Sequence, residues 1–342
     1  MQLRSSKTFR QAGALILILA GISAAKIMVN LSRSNSKGPN SNIGTTIAPG
    51  SKMWEPPDTN QIPFSAEGNL IRYGRDLVAN TSLYLGPKGK VAAVTNGMNC
   101  QNCHLDAGTR LWGNNFSAVS STYPQFRGRS GTVESVYKRV NDCLERSLNG
   151  KTLDTNSHEM QAFAAYINWV GHNVAKNVKP EGAGVKTIPF LGRPADPENG
   201  LIVYKLKCQR CHGADGLGSL NSDSTAYFYP PLWGKNSYNT GAGLFRLSHF
   251  AGYIRYNMPF DAQVNVALLT DQEAWDVAAF VNTQSRPQKK FIADWPDISW
   301  KPFDYPFGPY ADSFSEHQHK FGSFGPIWQE NEKMKSKKLK AY

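Results

Sequence analysis

The chain has 342 residues, enough for two or three domains, and a formal net charge of +12 at pH 7. This charge favours anionic partners, although the basic run at 333–340 is expected to be a solvated tail that supplies part of it. No nucleic-acid partner is expected. A disulfide framework is excluded, because four of the five cysteines stand in two C-x-x-C-H motifs and only Cys143 is left over.

The N-terminus has the pattern of an export signal. A basic segment ending at Arg10 precedes an apolar run from Ala12 to Ala25. A membrane span needs about 20 residues, so this run is short unless 27–29 are added to it. A cleaved signal peptide and a retained membrane anchor over 1–30 both stay open, and either one predicts a periplasmic location for the folded chain.

A linker and a first domain follow. Residues 31–60 are rich in Ser, Asn, Gly and Pro and predict a linker. The domain predicted at 61–172 contains helices at 69–78, 132–148 and 158–170, with Cys100-Gln-Asn-Cys103-His104 after the first of them. The helix at 132–148 is expected to face the core with four apolar residues: Val133, Val136, Val140 and Leu144.

C-x-x-C-H is the attachment signature of c-type haem. Each cysteine forms a thioether with a haem vinyl group, and the histidine ligates the iron. A four-cysteine zinc site would need its cysteine pairs ~15–20 residues apart, and a thioredoxin-like pair belongs in a βαβ unit, which this sequence does not predict. The first haem is therefore expected on Cys100, Cys103 and His104.

The same order of elements repeats further along the chain. After an interdomain linker at 173–197, a second domain is predicted at 198–286, with helices at 198–207 and 270–283. Its motif binds a second haem through Cys208, Cys211 and His212. The chain is thus predicted to be mainly α, with two cytochrome c-like haem domains in tandem and two covalently bound haem c groups.

The segment at 287–342 is rich in aromatic residues and proline. It is too apolar to be loose and too often interrupted by proline for regular elements, so it predicts an irregular C-terminal strap packed across one or both domains. Only about the last ten residues are expected to be disordered.

The second axial ligand of each iron sets its redox potential. In the second domain, Met258 is followed by Pro259 in a loop typical of methionine ligands, and His249 is the alternative ligand. In the first domain no Met or His stands between Leu105 and Ser157, which leaves Cys143 as the strong ligand in that window.

Other roles for Cys143 stay open. A lone cysteine is ordinarily a small buried hydrophobe, and Met160 or His158 could ligate the iron if the closing helix moved. Arg139, Cys143 and Ser147 nevertheless follow at intervals of four, so one side of a helix presents all three. An arginine beside a cysteine favours a reactive thiolate and offers a fork for an oxyanion.

Three more arginines stand near this group in the sequence: Arg127, Arg129 and Arg146. Each alone could equally be a haem-propionate partner or a surface charge. As a cluster they predict an anion-binding site.

These residues resemble the dihaem thiosulfate dehydrogenases. The segment 143–150, preceded by Arg139, is similar to their cysteine motif, and 257–259 is similar to the loop that ligates their second haem. The resemblance runs from about 60 to 327 and includes the tail at 301–312.

The resemblance implies oxidative joining of two thiosulfates into tetrathionate, or the reverse reduction. It makes Cys143 the axial and reactive cysteine, with Arg129, Arg139 and Ser147 as its substrate-binding neighbours. Electrons would leave through the second haem to an external acceptor such as a soluble cytochrome c or a copper protein. Some relatives place a lysine before the ligating methionine; Asn257 stands there in this chain, which disfavours a ligand switch.

Three other functions compete with this one. A dihaem electron carrier would explain the haems without sulfur chemistry of its own. A dihaem peroxidase is disfavoured by Cys143 in the ligand window. A sulfur-binding or sensing module would keep the arginines and the cysteine but show no turnover.

Overall fold

The computed structural model describes residues 53–260 and 268–339, so the predicted export segment at 1–30 lies outside it. The described end of the predicted linker is held in place by Trp54, which is buried. Its backbone N–H donates to the Glu181 carbonyl at 3.0 Å, and its indole N–H donates to Asn173 Oδ1 at 3.2 Å. One large aromatic side chain supplies the apolar contact that the polar composition of 31–60 did not predict.

The first domain is helical, with one small hairpin. Its elements are α1 (Ala66–Ala79), α2 (Thr81–Leu85), α3 (Leu105–Gly108), α4 (Val119–Thr122), β1 (Gln125–Arg127), β2 (Thr132–Glu134), α5 (Val136–Arg146) and α6 (His158–Val170), with 3-10 turns at Thr59–Gln61 and Cys100–Asn102. Two serines begin the long helices: Ser65 accepts from the Gly68 N–H at the start of α1, and Ser157 accepts from the Met160 N–H at the start of α6.

Helices α1 and α6 cross in close contact. A Cβ on Gly74 would stand 1.9 Å from the Ala162 carbonyl oxygen, so only glycine lets the two backbones approach this closely. Leu77, Phe163 and Tyr166 are fully buried at this crossing, in the core of the first domain. The helices predicted at 69–78 and 158–170 are therefore present as a packed pair.

The helix predicted at 132–148 is shorter than expected. Residues 132–134 form β2, antiparallel to β1, and Val133 is 67% exposed instead of facing the core. Gly131 has φ +67°, which turns the chain into the hairpin. Ser135 is extended and caps α5 by accepting from the Lys138 N–H. The apolar spacing of Val133 with Val136 suggested a longer helix than the cap allows.

The second domain repeats the crossed pair. Its elements are α7 (Pro197–Lys207), α8 (Gln209–His212), β3 (Ser219–Leu220), β4 (Tyr227–Tyr229), α9 (Leu247–Asn257) and α10 (Asp271–Thr283), with a 3-10 turn at Gly243–Phe245. A Cβ on Gly200 of α7 would stand 2.0 Å from the Asp276 carbonyl oxygen of α10. Thr270 and Glu273 form a capping box that starts α10.

The C-terminal segment is irregular only in its first half. After a 3-10 turn at Ile298–Trp300 it forms α11 (Glu316–Phe321) and α12 (Phe324–Leu339). The predictions of no regular elements and of about ten disordered residues at the end were therefore wrong for 316–339. Ser315 caps α11 and Gly322 ends it at φ +91°. Acidic residues between the lysines permit α12: Lys335 pairs with Glu332 at 2.9 Å.

We call 287–339 the strap. Phe303, Phe324 and Ile327 of the strap are buried in the core of the second domain. A separate apolar cluster joins the two domains; its buried members are Met98, Leu144, Leu148, Tyr238, Ala242 and Phe245. This cluster fixes the segment before α9 against α5. None of the helices in the described ranges combines the length and apolar character needed to cross a membrane.

Candidate haem sites and an anion cavity

The histidines of the two C-x-x-C-H motifs are oriented in the same way. His104 Nδ1 lies 2.5 Å from the Asn114 carbonyl, and His212 Nδ1 lies 2.9 Å from the Pro230 carbonyl. Because a carbonyl only accepts, Nδ1 carries the proton and Nε2 keeps its lone pair for a metal. Burial lowers the pKa of His104 to about 4 and lowers the pKa of His212 too, so both imidazoles are neutral at pH 7.

The second motif opens onto a cavity of about 460 Å³ with mainly apolar walls. Cys208, Cys211, His212 and Met258 all lie on its wall. Two thiols, a neutral imidazole and a thioether inside an apolar cavity are the donor set of a c-type haem with histidine and methionine ligands. The residues present therefore fit the group.

The cysteine of α5 faces the first motif. Burial, with a smaller contribution from a negative charge on the neighbouring Cys143, raises the pKa of Cys100 and of Cys103 to about 12. The Arg139 charge in turn contributes to the lowered pKa of His104. These interactions place Cys143 and Arg139 next to the first haem motif, so thiols, a neutral imidazole and a further sulfur again fit a haem.

Cys143 also lines a second space, a cavity of about 500 Å³ that we call the anion cavity. Its walls come from the β1–β2 hairpin, α5, the 241–249 segment and the strap. The candidate residues Arg129, Arg139, Cys143 and Ser147 all lie on these walls. Many of the lining side chains are basic: Arg127, Arg129, Arg139, Arg146, Arg246 and His249.

The arginines of the anion cavity differ in what they bind. Arg146 makes a two-pronged contact with Asp294 of the strap, with both N–O distances at 2.8 Å. Arg129 donates to the Gly241 carbonyl at 2.8 Å and lies 3.4 Å from the same Asp294 carboxylate. Burial and the nearby Arg146 charge lower the pKa of Arg129 to about 10, which leaves it protonated at pH 7.

Arg127 and Arg139 line the cavity, and neither guanidinium has a hydrogen-bond or ion-pair partner among the described residues. Of the two, Arg139 is the one next to Cys143. A negative charge on Cys143 raises the pKa of Arg139, so the guanidinium stays charged beside the cysteine. A free guanidinium fork beside a sulfur nucleophile suits an oxyanion that also carries a reactive sulfur.

His249, the alternative ligand for the second iron, lies in the anion cavity, whereas Met258 lies on the wall of the second haem cavity. His249 stands in the first turn of α9, and Met258 is its C-cap. Sequence reasoning missed His249 and Arg246 as members of the first site. Arg246 is the N-cap residue of α9 and His249 follows three residues later in its first turn, and this spacing is the signal that the start of α9 meets a cavity with polar side chains.

Comparisons with known proteins agree with this architecture. Residues 90–174 match the family described as SoxA/TsdA, cytochrome c domain, and residues 197–285 match the family described as cytochrome c. A thiosulfate dehydrogenase of Psychrobacter arcticus is 36% identical over 255 residues, which cover 74% of this chain and 75% of that protein. The chain belongs to the thiosulfate dehydrogenase family. Another member, from Allochromatium vinosum, is 37% identical over 230 residues, or 66% of this chain and 82% of its own length.

A solved structure of a thiosulfate dehydrogenase (TsdBA) from Marichromatium purpuratum, in its "as isolated" form, has a TM-score of 0.64 and 32% identity. It covers 69% of this chain, and this chain spans only half of its length. The family resemblance and the fold class of two tandem cytochrome c domains are confirmed. The protein is an oxidoreductase of the cytochrome c type.

Proposed function

We propose that the protein is a dihaem cytochrome c that joins two thiosulfates into tetrathionate, or runs the reverse reaction. The unpartnered Arg139 fork beside Cys143, in a cavity that adjoins the first haem motif, carries this proposal. An electron carrier without sulfur chemistry would have no use for a basic cavity around a cysteine, and a Met or His ligand would serve it as well.

We assign one covalent haem c to Cys100, Cys103 and His104, and one to Cys208, Cys211 and His212. Cys143 would complete the first iron's ligands, and Met258 those of the second. The bound haems would take up the two electrons that the reaction releases, one each. A pyridine haemochrome assay after acid-acetone extraction should find two haems on the chain. Spectroelectrochemistry should resolve a lower step with a thiolate spectrum and a higher step that Met258→Leu alone changes.

The chemistry of the protein's own groups begins with the sulfur of Cys143. Its thiolate bonds to the terminal sulfur of one thiosulfate, two electrons leave, and a cysteine S-thiosulfonate with one negative charge remains. A second thiosulfate then attacks the sulfur attached to Cys143, forms the new S–S bond and releases Cys143 as a thiolate together with tetrathionate. Arg139 offsets the charge of the anions, and Arg129 and Ser147 line the same space.

We divide the roles between a catalytic haem domain at 61–172 and an electron-transfer domain at 198–286. Cys103 and Tyr253 lie on the wall of the second haem cavity, and the Tyr253 hydroxyl donates to the Asn102 carbonyl of the first motif at 3.3 Å. The two haem sites thus adjoin, which supports direct transfer between them. Phe228 and Phe260 on the second cavity are exposed, a contact area for a periplasmic cytochrome c or copper protein.

The experiment is an assay of purified holoprotein in both directions. Thiosulfate with an artificial electron acceptor should yield tetrathionate, and tetrathionate with a reduced dye should yield thiosulfate. A protein that exchanges electrons with the dyes but converts neither sulfur compound would be an electron carrier, and the proposed function would be wrong.

A further inference from the structure

We propose that the second domain builds one wall of the anion cavity, and that Arg246 and His249 on this wall bind the second thiosulfate while it attacks the sulfur attached to Cys143. This inference rests on the proposed function. It adds a binding site for one particular substrate molecule and assigns it to residues outside the catalytic haem domain.

The first argument is the direction of attack. In a displacement at sulfur, the incoming sulfur approaches opposite to the bond that breaks, which here is the bond to Cys143. Cys143 lies on α5, so the second thiosulfate needs a contact on a wall that α5 does not form. The 241–249 segment of the second domain supplies such a wall, and Arg246 and His249 are its basic groups.

The second argument is charge. A thiosulfate dianion must approach the negatively charged cysteine S-thiosulfonate at a site where Asp294 already occupies Arg146 and contacts Arg129. Arg127 and Arg139 are the cavity arginines without a carboxylate partner among the described residues, and both lie in the first domain. Arg246 is held by Asp304, which accepts from its Nε at 2.8 Å and from its Nη2 at 2.7 Å through one carboxylate oxygen. Its position is thereby fixed, and its Nη1 takes no part in that ion pair.

The third argument is the state of His249. Its side chain is half-buried, lines the cavity and has no hydrogen-bond partner among the described residues. Burial, followed by the charge of Arg246, lowers the pKa of His249 to about 4, so the imidazole is neutral at pH 7. A neutral imidazole keeps one N–H to donate to a sulfonate oxygen. Because the imidazole is neutral, it is not drawn into an ion pair with a carboxylate as the arginines are, and it stays available to the anion.

The displacement balances without an oxidant. The terminal sulfur of the second thiosulfate forms a bond to the sulfur attached to Cys143. The bond between that sulfur and Cys143 breaks, and Cys143 keeps the electron pair as a thiolate. Oxidation belongs to the preceding step, so a defect in the second thiosulfate's site leaves the first step intact.

This separation defines the experiment. Oxidised holoprotein is mixed with thiosulfate, quenched at intervals and digested, and the Cys143 peptide is weighed by mass spectrometry alongside the rate of tetrathionate formation. In His249→Leu we expect turnover to fall about 10- to 100-fold, the usual effect of losing a hydrogen bond to a charged group. The thiosulfate adduct on Cys143 should accumulate above its wild-type level, because it still forms but is attacked slowly.

Two variants serve as controls. His249→Gln keeps an N–H donor and should recover much of the lost turnover, which a merely space-filling role would not predict. His172→Leu removes an exposed histidine outside the cavity and should behave as wild type in rate and adduct level. Haem spectra of all variants check that both sites are intact.

The outcomes separate the two proposals. If His249→Leu forms tetrathionate at the wild-type rate, or loses adduct formation in proportion to turnover, His249 does not hold the second thiosulfate and the inference is wrong. If the wild-type protein shows neither tetrathionate nor adduct, the proposed function itself fails and this inference fails with it.

Discussion

The two haem domains share a scaffold and differ in what faces their haem sites. Each has a helix pair that crosses at a glycine, Gly74 in one and Gly200 in the other. Each orients its motif histidine through a backbone carbonyl. Opposite the motif, however, the first domain presents Cys143 on a helix beside a basic cavity, and the second presents Met258 at the end of α9 in an apolar one.

The comparison teaches that attachment and reactivity reside in separate parts of the same small fold. The crossed helices and the C-x-x-C-H turn hold a haem in either domain. The segment before the closing helix decides whether a site also has room and charge for an anion. Changes to the scaffold should therefore affect stability in both domains, whereas changes opposite the motif should affect chemistry in one.

The largest effect is expected from Cys143. Replacing it with methionine gives the first domain the kind of ligand that the second has, and thiosulfate oxidation should be abolished while both haems stay attached, because methionine cannot form the sulfur–sulfur bond. Tetrathionate production with an artificial acceptor measures this, and Met258→Leu is the matched change in the other domain. Continued turnover of Cys143→Met near the original rate would make the cysteine structural.

The next prediction tests whether the strap holds the basic residues of the anion cavity in place. Asp304 is buried and accepts from Arg246 and from the Ser248 N–H at 3.0 Å. Asp304→Asn leaves Arg246 without its counter-charge and should cost about 3–5 kcal/mol in the free energy of unfolding, measured by denaturant titration. It should also impair turnover, because Arg246 and His249 would lose their fixed position.

The same carboxylate gives the prediction a pH dependence. Burial raises the pKa of Asp304, but Arg246 and the Ser248 donors outweigh it, so its pKa in the folded protein is lowered. Its stabilisation is complete above the unfolded pKa of about 3.9 and is lost as the pH falls through the lower folded value. The stability difference between wild type and Asp304→Asn should thus shrink only in acid; a constant difference would exclude an ionic origin.

A smaller effect is expected at Arg139. Arg139→Ala should raise KM for thiosulfate about 10- to 100-fold, since losing a charge-assisted hydrogen bond costs ~1.5–3 kcal/mol. Arg110→Ala is the control, because Arg110 pairs with Asp106 at 2.8 Å outside the anion cavity. An unchanged KM in Arg139→Ala would show that the substrate is bound elsewhere.

The smallest effect concerns the shared scaffold. Gly74→Ala and Gly200→Ala each place a methyl group against a carbonyl oxygen of the partner helix and should each cost about 1–3 kcal/mol by overpacking. Denaturant titrations followed through the haem spectra should show similar losses for the two variants. A loss in only one of them would mean that the two crossings are not equivalent.

The sequence predicted what depends on local patterns. Residues close in the chain predict the two motifs and the spacing of Cys143 from Arg139 and Ser147. They also predict the helix at 158–170, which begins after a serine cap and ends at a glycine. The position of His249 and the contact of Asp294 with Arg146 depend on how distant segments pack, and no local period encodes that. Val133 was misplaced because an apolar residue one turn before a helix resembles a part of it.

The strap has a further consequence for how the protein is made. A polypeptide is made from its N-terminus, so both C-x-x-C-H motifs precede Asp294 and Asp304 in synthesis. Until those carboxylates arrive, Arg129 and Arg146 repel each other and Arg246 has no counter-charge. A product cut short before 294 would lack both carboxylates and the buried Phe303, Phe324 and Ile327, and we expect it to be sulfur-inactive.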